Sequence, residues 1–419
     1  LERTLTLENL GESGDPDITI AGVAAIGGGG SLSTSAPTPT AIGPGETSTV
    51  TVAWSPTNPG NLGATLEVIH SGTNSPLTFA ATGSAIDPSN PPPVSFDASD
   101  LSGLIVGGPT AIQWGPDGRL YIAKGDGPIG IHTVVRNGPS DYEVTASETI
   151  DLITTIPNHN DFPASSEPIP QGSRLVTGMR VTGTATAPRV YVSSFDPRSS
   201  VDVDIELDTN SGVISRLDLT PSGWVKTDLV RGLPRSEENH GPNGLELSAD
   251  GQNLYVAVGG NTNRGAPSSS FALLPEYALS AAVLSIDLAA IGDTTYDLPT
   301  LNPFPGQGPF GGDDGRNQAR IVPGGPVQVY APGFRNPYDL VLTRAGDLYT
   351  VDNGANGGWG DNPAAEGPGG ACTNARRDGG DDQLDALHLI TGPGYYGGHP
   401  NPVRGNPAGS GFPAAAGTA

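Results

Sequence analysis

One type of segment recurs four times in this chain and restricts the folds open to it. The segments "IQWGPDGRLYIAKGD", "MRVTGTATAPRVYVSSFD", "LELSADGQNLYVAVGG" and "LVLTRAGDLYTVDNG" each place apolar residues before a turn and a tyrosine-centred strand after it. Their tyrosines are Tyr121, Tyr191, Tyr255 and Tyr349. Repeated strand–turn–strand units of one type are typical of the blades of a β-propeller. The alternative is an unrelated β-sandwich with repeated hairpins.

A different β pattern occupies residues 1–86. Short runs of period 2, among them "DITIAGV", "STVTVAWSP" and "GATLEVIHSG", are separated by Gly, Pro and Asn turns, which favours a β-sandwich. A stiff Pro-rich linker is predicted over residues 87–95. The predicted fold class is therefore all-β, with an N-terminal immunoglobulin-like sandwich followed by a propeller over residues 96–419.

The bulk composition supports this fold class and limits the partners. Gly and Pro supply 61 and 41 of the 419 residues, a density of turn formers that suits many short strands. The formal charge is −24, so we expect no nucleic-acid partner and predict neutral ligands or divalent cations. Cys372 is the single cysteine, which leaves no disulfide framework. No run reaches the roughly 18 apolar residues that a membrane helix needs.

Two loop residues that precede apolar strands are candidates for chemistry. His240 follows "LPRSEEN", and a histidine of ordinary pKa can take a proton from a hydroxyl. A lone loop histidine is more often simply solvated. Arg335 opens "RNP", where a guanidinium and an amide offer donors to carbonyl or carboxylate oxygens. The competing interpretation is an arginine that ties down a loop carbonyl.

The loop "DNGANGGWGD", residues 352–361, is a candidate cation site. Its glycines free carbonyl groups, and Asp352 and Asp361 stand at its ends. Hard cations such as calcium take oxygen ligands of this kind. An ordinary turn is the competing interpretation.

In chain order, four stretches resemble the soluble sugar dehydrogenases that depend on pyrroloquinoline quinone (PQQ), the glucose/sorbosone dehydrogenase family. They are "IQWGPDGRLYIA", "NHGPNGLELSADGQNLYVAVGG", "GFRNPYDLVLTRAGDLYTVDNGANG" and "DALHLITGPGYYGGHPNP", and the resemblance runs from about residue 104 to 402. It implies a six-bladed type of propeller, PQQ and calcium as cofactors, and oxidation of a sugar hydroxyl with hydride transfer to PQQ.

The resemblance also implies roles for six residues. His240 corresponds to the general base, and Arg335 and Asn336 to the pair that contacts substrate and cofactor oxygens. Gln171 corresponds to a cofactor-facing glutamine. The main-chain carbonyls of Gly354 and Ala355 correspond to those that hold the active-site calcium.

This sequence departs from the family at two places. Asn239 stands where an acid usually precedes the base, which weakens the expected orientation of His240. The lysine and arginines that hold the quinone carboxylates belong to late blades, and no matching blades follow in this sequence. We therefore expect that the propeller is incomplete and that this chain does not anchor PQQ by itself.

The N-terminal pattern resembles the choice-of-anchor and ASPM–SPD-2–Hydin type of immunoglobulin-like module. The stretch "GPGETSTVTVAWSPTNPGNLGATLEV" followed by "SPLTFAATGSA" carries this resemblance. Such modules have one more strand before the first strand here, which predicts an open edge. Additional domains or neighbouring subunits are then expected to complete the sandwich edge and the propeller.

These observations leave two main hypotheses for function. The first is a secreted or cell-surface quinone-dependent aldose dehydrogenase, located outside the cell or in the periplasm and acting on a sugar or glycan. The second is a non-catalytic extracellular scaffold, adhesin or filament-forming surface protein that uses the same folds. A metal-dependent propeller lactonase is a weaker third hypothesis, because no convincing set of acidic ligands is visible.

Overall fold

The computed structural model describes residues 2–27, 31–85, 96, 98–161, 168–301, 308–311, 317–362 and 381–401. The chain divides into two compact units, Leu1–Ala98 and Ser99–Ala419. The predicted linker, residues 87–95, lies outside the described residues, and the domain boundaries placed around it stay a prediction.

The first unit is a β-sandwich. Its strands are β1 (Glu2–Glu8), β2 (Ile18–Gly27), β3 (Leu32–Thr34), β4 (Ala41–Ile42), β5 (Thr47–Trp54), β6 (Gly60–His70) and β7 (Leu77–Ala85). They form two sheets, in the orders β1-β5-β3 and β4-β2-β6-β7. Alternate residues of both sheets, such as Leu7, Val50, Ile20 and Val68, share one apolar core. The sandwich predicted from period-2 runs is confirmed, and its assignment to an immunoglobulin-like family stays a prediction.

The second unit consists of further sheets in which most of the described strand pairs are antiparallel and two are parallel. Its strands are β8 (Leu101–Ser102), β9 (Pro109–Trp114), β10 (Leu120–Lys124), β11 (Ile129–Gly138), β12 (Asp141–Ile150), β13 (Leu175–Gly183), β14 (Pro188–Phe195), β15 (Gly212–Thr220), β16 (Gly223–Leu233), β17 (Pro242–Leu247), β18 (Asn253–Val258), β19 (Ala282–Asp287), β20 (Tyr296–Asp297), β21 (Val327–Pro332), β22 (Pro337–Leu342), β23 (Leu348–Asp352) and β24 (Ala386–Ile390). Its short helices are α1 (Leu288–Ile291) and the 3-10 turns Leu152–Thr155 and Ser269–Phe271.

The described strands of this unit form four sheets with the arrangement of propeller blades. The sheet orders are β9-β10-β11-β12-β8, β13-β14-β15-β16-β20, β17-β18-β19-β21 and β22-β23-β24. The first strands β9, β13, β17 and β22 contact one another in that order, and the apolar clusters lie between successive sheets. The all-β propeller class predicted from the repeats is therefore confirmed.

The four tyrosines occupy equivalent strands, as the repeats predict. Each lies in the second strand of its sheet, namely β10, β14, β18 or β23. Three of the preceding hairpins also share one turn, with a glycine at φ of 72°, 68° or 94° for Gly118, Gly251 and Gly346. Since residues with a Cβ rarely adopt a positive φ, the glycine at this position makes the turn possible. The hairpin before Tyr191 turns differently, with Gly183 at its start.

Candidate functional site

A polar cavity opens where β17 and β22 begin. Its volume is about 490 Å³, and its lining includes His240, Arg335, Asn336 and Gly354. The other described lining residues are Glu238, Asn239, Asn353, Asn356, Trp359, Asp382, Gln383 and Asp385. His240 stands two residues before β17, and Arg335 stands two residues before β22. Because β17 and β22 contact each other, the ends of these neighbouring strands bring together residues that are 95 positions apart in the sequence.

His240 is held as a neutral base. Its Nδ1 lies 2.9 Å from the carbonyl oxygen of Gly260. Since a carbonyl only accepts, Nδ1 carries the proton and Nε2 keeps its lone pair. Burial lowers the pKa of His240 to about 3, and the positive charge of Arg335 acts in the same direction. The ring therefore stays neutral at pH 7, and its pKa is well below the ordinary value expected from the sequence. Its Nε2 lone pair can accept a hydrogen bond and lies 3.5 Å from Oε2 of Glu238 on the cavity lining.

The orientation of His240 does not depend on the residue before it. The family resemblance predicts a weaker orientation because Asn239 replaces an acid, but the Gly260 carbonyl fixes the ring instead. The close contact between His240 and the segment after β18 requires a glycine there. A Cβ on Gly259 would lie 2.7 Å from Cβ of His240 and 2.5 Å from Oδ1 of Asn336. Gly259, the first glycine in "VGG", therefore lets the backbone pass between His240 and Asn336.

Arg335 is positioned by two acceptors. Its Nε donates to Oδ1 of Asn263 at 3.1 Å, and its backbone N–H donates to Oδ2 of Asp352 at 3.0 Å. Among the described residues, neither Nη nitrogen hydrogen-bonds to the protein, and the guanidinium lines the cavity. Arg335 is 6% exposed. Burial lowers its pKa, and the charges of Glu238 and Asp352 act in the opposite direction.

Asn336 belongs to a chain of amides beside Arg335. Its Oδ1 accepts from Nδ2 of Asn243 at 2.8 Å, and its Nδ2 donates to Oδ1 of Asn353 at 3.0 Å. Its backbone N–H donates to Oδ1 of Asp352 at 2.8 Å. The carboxylate of Asp352, which the sequence suggested as a cation ligand, thus holds the turn that presents Arg335 and Asn336.

The loop predicted to bind calcium lies against the segment 382–385. The backbone N–H of Gly354 donates to Oδ1 of Asp385 at 2.9 Å, and that of Gly357 donates to Oδ1 of Asp382 at 2.7 Å. The carbonyl of Ala355 accepts from the N–H of Gln383 at 2.8 Å.

This donor set is compatible with a calcium ion. Carboxylate and main-chain oxygens are the ligands that calcium prefers. Among the described residues, no group of three or more His, Cys, Asp or Glu could hold a metal. A calcium ion here would therefore depend on carbonyls such as that of Gly354 as well as on Asp382 and Asp385.

The same cavity does not fit a polycarboxylate quinone. Three carboxylates, Glu238, Asp382 and Asp385, line it, whereas Arg335 is its one basic residue among the described lining. Burying further carboxylates beside them costs several kcal/mol per ion unless cations compensate. We therefore derive no step through PQQ.

Gln171 is not brought together with the other predicted residues. It is exposed, its Nε2 donates to the carbonyl of Ile169 at 3.3 Å, and it does not belong to the described lining of the cavity. The arrangement gives its predicted cofactor contact no support.

Several residues of the site were missed from the sequence. Glu238 and Trp359 line the cavity, and Asn263 accepts a hydrogen bond from the Arg335 guanidinium. A signal existed for Asn263, because "GGNTNRG" follows the same strand type as "DNGANGG" in the next repeat. Asp382 and Asp385 belong to the acidic stretch "RRDGGDDQLD", for which the sequence favours a surface loop with a minor chance of a calcium site. The sequence does not indicate that this stretch contacts the loop 352–361.

Comparisons with known proteins give structural similarity only. No family model matches the chain, and no curated protein matches it. Solved structures with similar folds include the PQQ domain of pyranose dehydrogenase from Coprinopsis cinerea, at 16% identity and a TM-score of 0.37, covering 72% of this chain and 54% of that one. A calcium structure of a Trichoderma reesei enzyme of carbohydrate-active family AA12 has 14% identity and a TM-score of 0.39, with 72% and 56% covered.

A third similar structure is the PQQ-bound aldose sugar dehydrogenase of Streptomyces coelicolor. It has 17% identity and a TM-score of 0.35, with 69% of this chain and 70% of that one covered. The chain spans little more than half the length of the first two structures. Similarities of this size do not establish an activity for this chain.

Proposed function

We propose that the cavity binds a sugar through its hydroxyl groups and that Nε2 of His240 accepts a hydrogen bond from one of them. One observation carries this proposal: a neutral histidine with its Nδ1 proton committed to Gly260 stands beside the guanidinium of Arg335 in a polar cavity. An imidazole in this state is neutral at pH 7 and accepts a hydrogen bond at Nε2. Charged donors such as Arg335 bind oxygen atoms strongly when they are shielded from water.

The other residues bind and orient the substrate in this proposal. Arg335 donates to a hydroxyl oxygen of the sugar, and Asn336 and Asn353 supply amide groups for neighbouring hydroxyls. Oxidation also requires a hydride acceptor, for which PQQ is the candidate implied by the sequence resemblance. The residues of this cavity do not fit PQQ, so no oxidation step is assigned to them.

Calcium is the second cofactor in the proposal. The carbonyls of Gly354 and Ala355, with Asp382 and Asp385, would hold it beside Arg335. When bound, a calcium ion would polarise ligand oxygens and offset the negative charge of the cavity.

A non-catalytic extracellular scaffold is the second candidate function. It is favoured by the acidic lining of the cavity, which suits a neutral glycan better than a polyanionic oxidant. No helix among the described residues is long and apolar enough to cross a membrane. A location outside the cell or in the periplasm is part of both proposals.

Sugar binding is tested by titrating the 419-residue chain with glucose while observing its histidine ¹⁵N signals. We expect the His240 ring to show the Nδ1–H tautomer at pH 7 and its Nε2 signal to shift on binding. Arg335→Met should weaken glucose binding by about ten- to a hundredfold, since a hydrogen bond to a charged group contributes roughly 1.5–3 kcal/mol. Arg136→Met, which changes an exposed arginine bonded to the carbonyl of Gly138, is the matched control. Absence of glucose binding, or equal effects of the two variants, would refute the proposal.

A further inference from the structure

Trp359 differs from every other described residue around the cavity. The remaining lining side chains are carboxylates, amides, an imidazole and a guanidinium, apart from Gly354, which has none. Trp359 alone in this described set presents a broad apolar surface. Small-molecule sites commonly combine a few convergent polar groups with an apolar or aromatic wall. This position makes the indole a candidate for ligand contact.

The loop that carries Trp359 is held in one conformation. Nδ2 of Asn263 donates to the carbonyl of Asn356 at 2.8 Å and to that of Gly360 at 3.0 Å. Oδ1 of the same amide accepts from the N–H of Asn356 at 3.0 Å and from Nε of Arg335 at 3.1 Å. One buried amide therefore fixes both the loop around Trp359 and the guanidinium.

The indole of Trp359 is also held by packing against buried residues. Trp359 meets Phe271 edge-on, with ring centroids 6.1 Å apart and planes at 69°. Phe271 is fully buried and also packs against His240, at 5.2 Å between centroids. Gly360 has a φ of +135°, and a Cβ there would lie 2.7 Å from Cβ of Ser268, so the turn after the tryptophan requires glycine. The indole and the base are thus fixed to the same aromatic ring.

We propose that Trp359 stacks on the C–H face of a pyranose ring and selects cyclic sugars over open-chain alditols. The inference rests on the proposed function and adds the ligand class to it. A pyranose in its chair form has a flat face of C–H groups, which an aromatic ring covers well. An alditol offers similar hydroxyls to Arg335, Asn336 and Asn353 but has no rigid face for the indole.

A purely structural role of Trp359 predicts a different result. If the indole only closed the loop, removing it would disturb Arg335 through Asn263 and weaken every hydroxyl ligand alike. If it stacks on the ring, its removal weakens the pyranose selectively. The contrast between a ring and its open-chain alditol therefore separates the two roles.

The experiment measures dissociation constants of glucose and sorbitol by calorimetry for the 419-residue chain. We expect the wild type to prefer glucose. Trp359→Ala should weaken glucose binding about tenfold, in the range of an aromatic contact, and sorbitol binding less than twofold. Trp359→Phe should retain most of the preference. Trp224→Phe, at an indole bonded to Glu148 away from the cavity lining, should change neither constant.

Tryptophan fluorescence provides a second readout. Glucose should change the emission of the wild type, and this change should vanish in Trp359→Phe but persist in Trp224→Phe. Equal losses for glucose and sorbitol in Trp359→Ala, or equal affinity of the wild type for both, would overturn the stacking inference and leave the proposed function standing. Failure of the wild type to bind either ligand would overturn both.

Discussion

The two units of the chain bury different side chains, although strands are the main regular structure of both. The described core of the first unit is aliphatic except for Trp54, and Asn9 and Ser48 are its buried polar residues. The second unit fully buries charged groups such as Arg174, Arg235 and Glu276. A buried charge destabilises a fold unless it is paired and hydrogen-bonded. The stability of the second unit therefore depends on the hydrogen bonds and ion pairs that its buried charged groups make.

Glu276 shows how these groups support the site. Its carboxylate accepts from the hydroxyls of Thr262 at 2.6 Å and Ser280 at 2.5 Å, and it lies 2.9 Å from Nε2 of His399. It also accepts from the backbone N–H groups of Asn261 and Thr262. This residue thus fixes the loop that follows Gly260, whose carbonyl orients His240.

The largest expected effect is the loss of this carboxylate. We expect Glu276→Ala to lower the free energy of unfolding of the second unit by about 3–5 kcal/mol, because it leaves several buried donors without an acceptor. The matched change in the first unit is Asn9→Ala, which removes bonds to the carbonyl of Ile42 and the N–H of Gly11 and should cost about 1–2 kcal/mol. Urea unfolding followed by circular dichroism measures both. Equal losses of unfolding free energy in the two variants would mean that buried polar groups contribute equally to the stability of the two units.

The next effect is a pH dependence caused by His240. Its pKa is lowered by burial to about 3 in the folded chain, whereas an unfolded histidine has a pKa of about 6.5. Between these values the unfolded chain binds the extra proton, so stability is full above about pH 6.5 and is lost as pH falls toward 3. The slope due to this residue is about 1.4 kcal/mol per pH unit.

The contribution of His240 is isolated by subtraction. Stability is measured from pH 7 to pH 4 for the wild type and for His240→Gln, which keeps a donor for Gly260 but does not titrate. We expect the difference between the two curves to have the stated slope. Parallel curves would show that His240 is not held neutral in the folded chain.

A smaller effect is expected from calcium. After chelation, calorimetry should detect calcium uptake by the second unit, and a loop replaced over residues 352–361 should lose it. Saturation at a hundredfold excess over the dissociation constant would stabilise this unit by about 2.7 kcal/mol. Asp385→Asn should weaken binding, whereas Asp15→Asn in the first unit should not. No uptake at millimolar calcium would count decisively against the site.

The smallest expected effect is on quinone-dependent turnover. We expect the 419-residue chain, supplied with PQQ, calcium and a panel of aldoses, not to reduce a dye, because the acidic cavity opposes a polycarboxylate. Turnover that disappears in His240→Ala would contradict this expectation. It would also show that the cavity holds the quinone despite its charge.

The sequence predicted those parts of the molecule whose cause is local. Alternating apolar residues and the glycines of the hairpins determine strands and turns over a few residues, so the sandwich strands and the tyrosine strands could be predicted. His240, Arg335 and Asn336 could be proposed because each lies directly before a strand of the repeat. The stretch with Asp382 and Asp385 could be proposed only as a minor calcium candidate, because a long insertion separates these residues from the loop that they contact. Gln171 rested on a loose correspondence with the family rather than on a local pattern.

The strand orders of the two units imply different folding histories. Most sheet neighbours in the second unit are consecutive strands, and several of its hairpins close over short loops, such as the one between β9 (Pro109–Trp114) and β10 (Leu120–Lys124). In the first unit β1 pairs with β5 and β2 with β6, joining Glu2 to Ala53 and Ile20 to His70. Pairings that are distant in sequence form slowly because a long loop must close first. The first unit is therefore expected to acquire hydrogen-exchange protection only after β6 has been synthesised. In the second unit, a hairpin such as β9–β10 can become protected as soon as its two strands have been made.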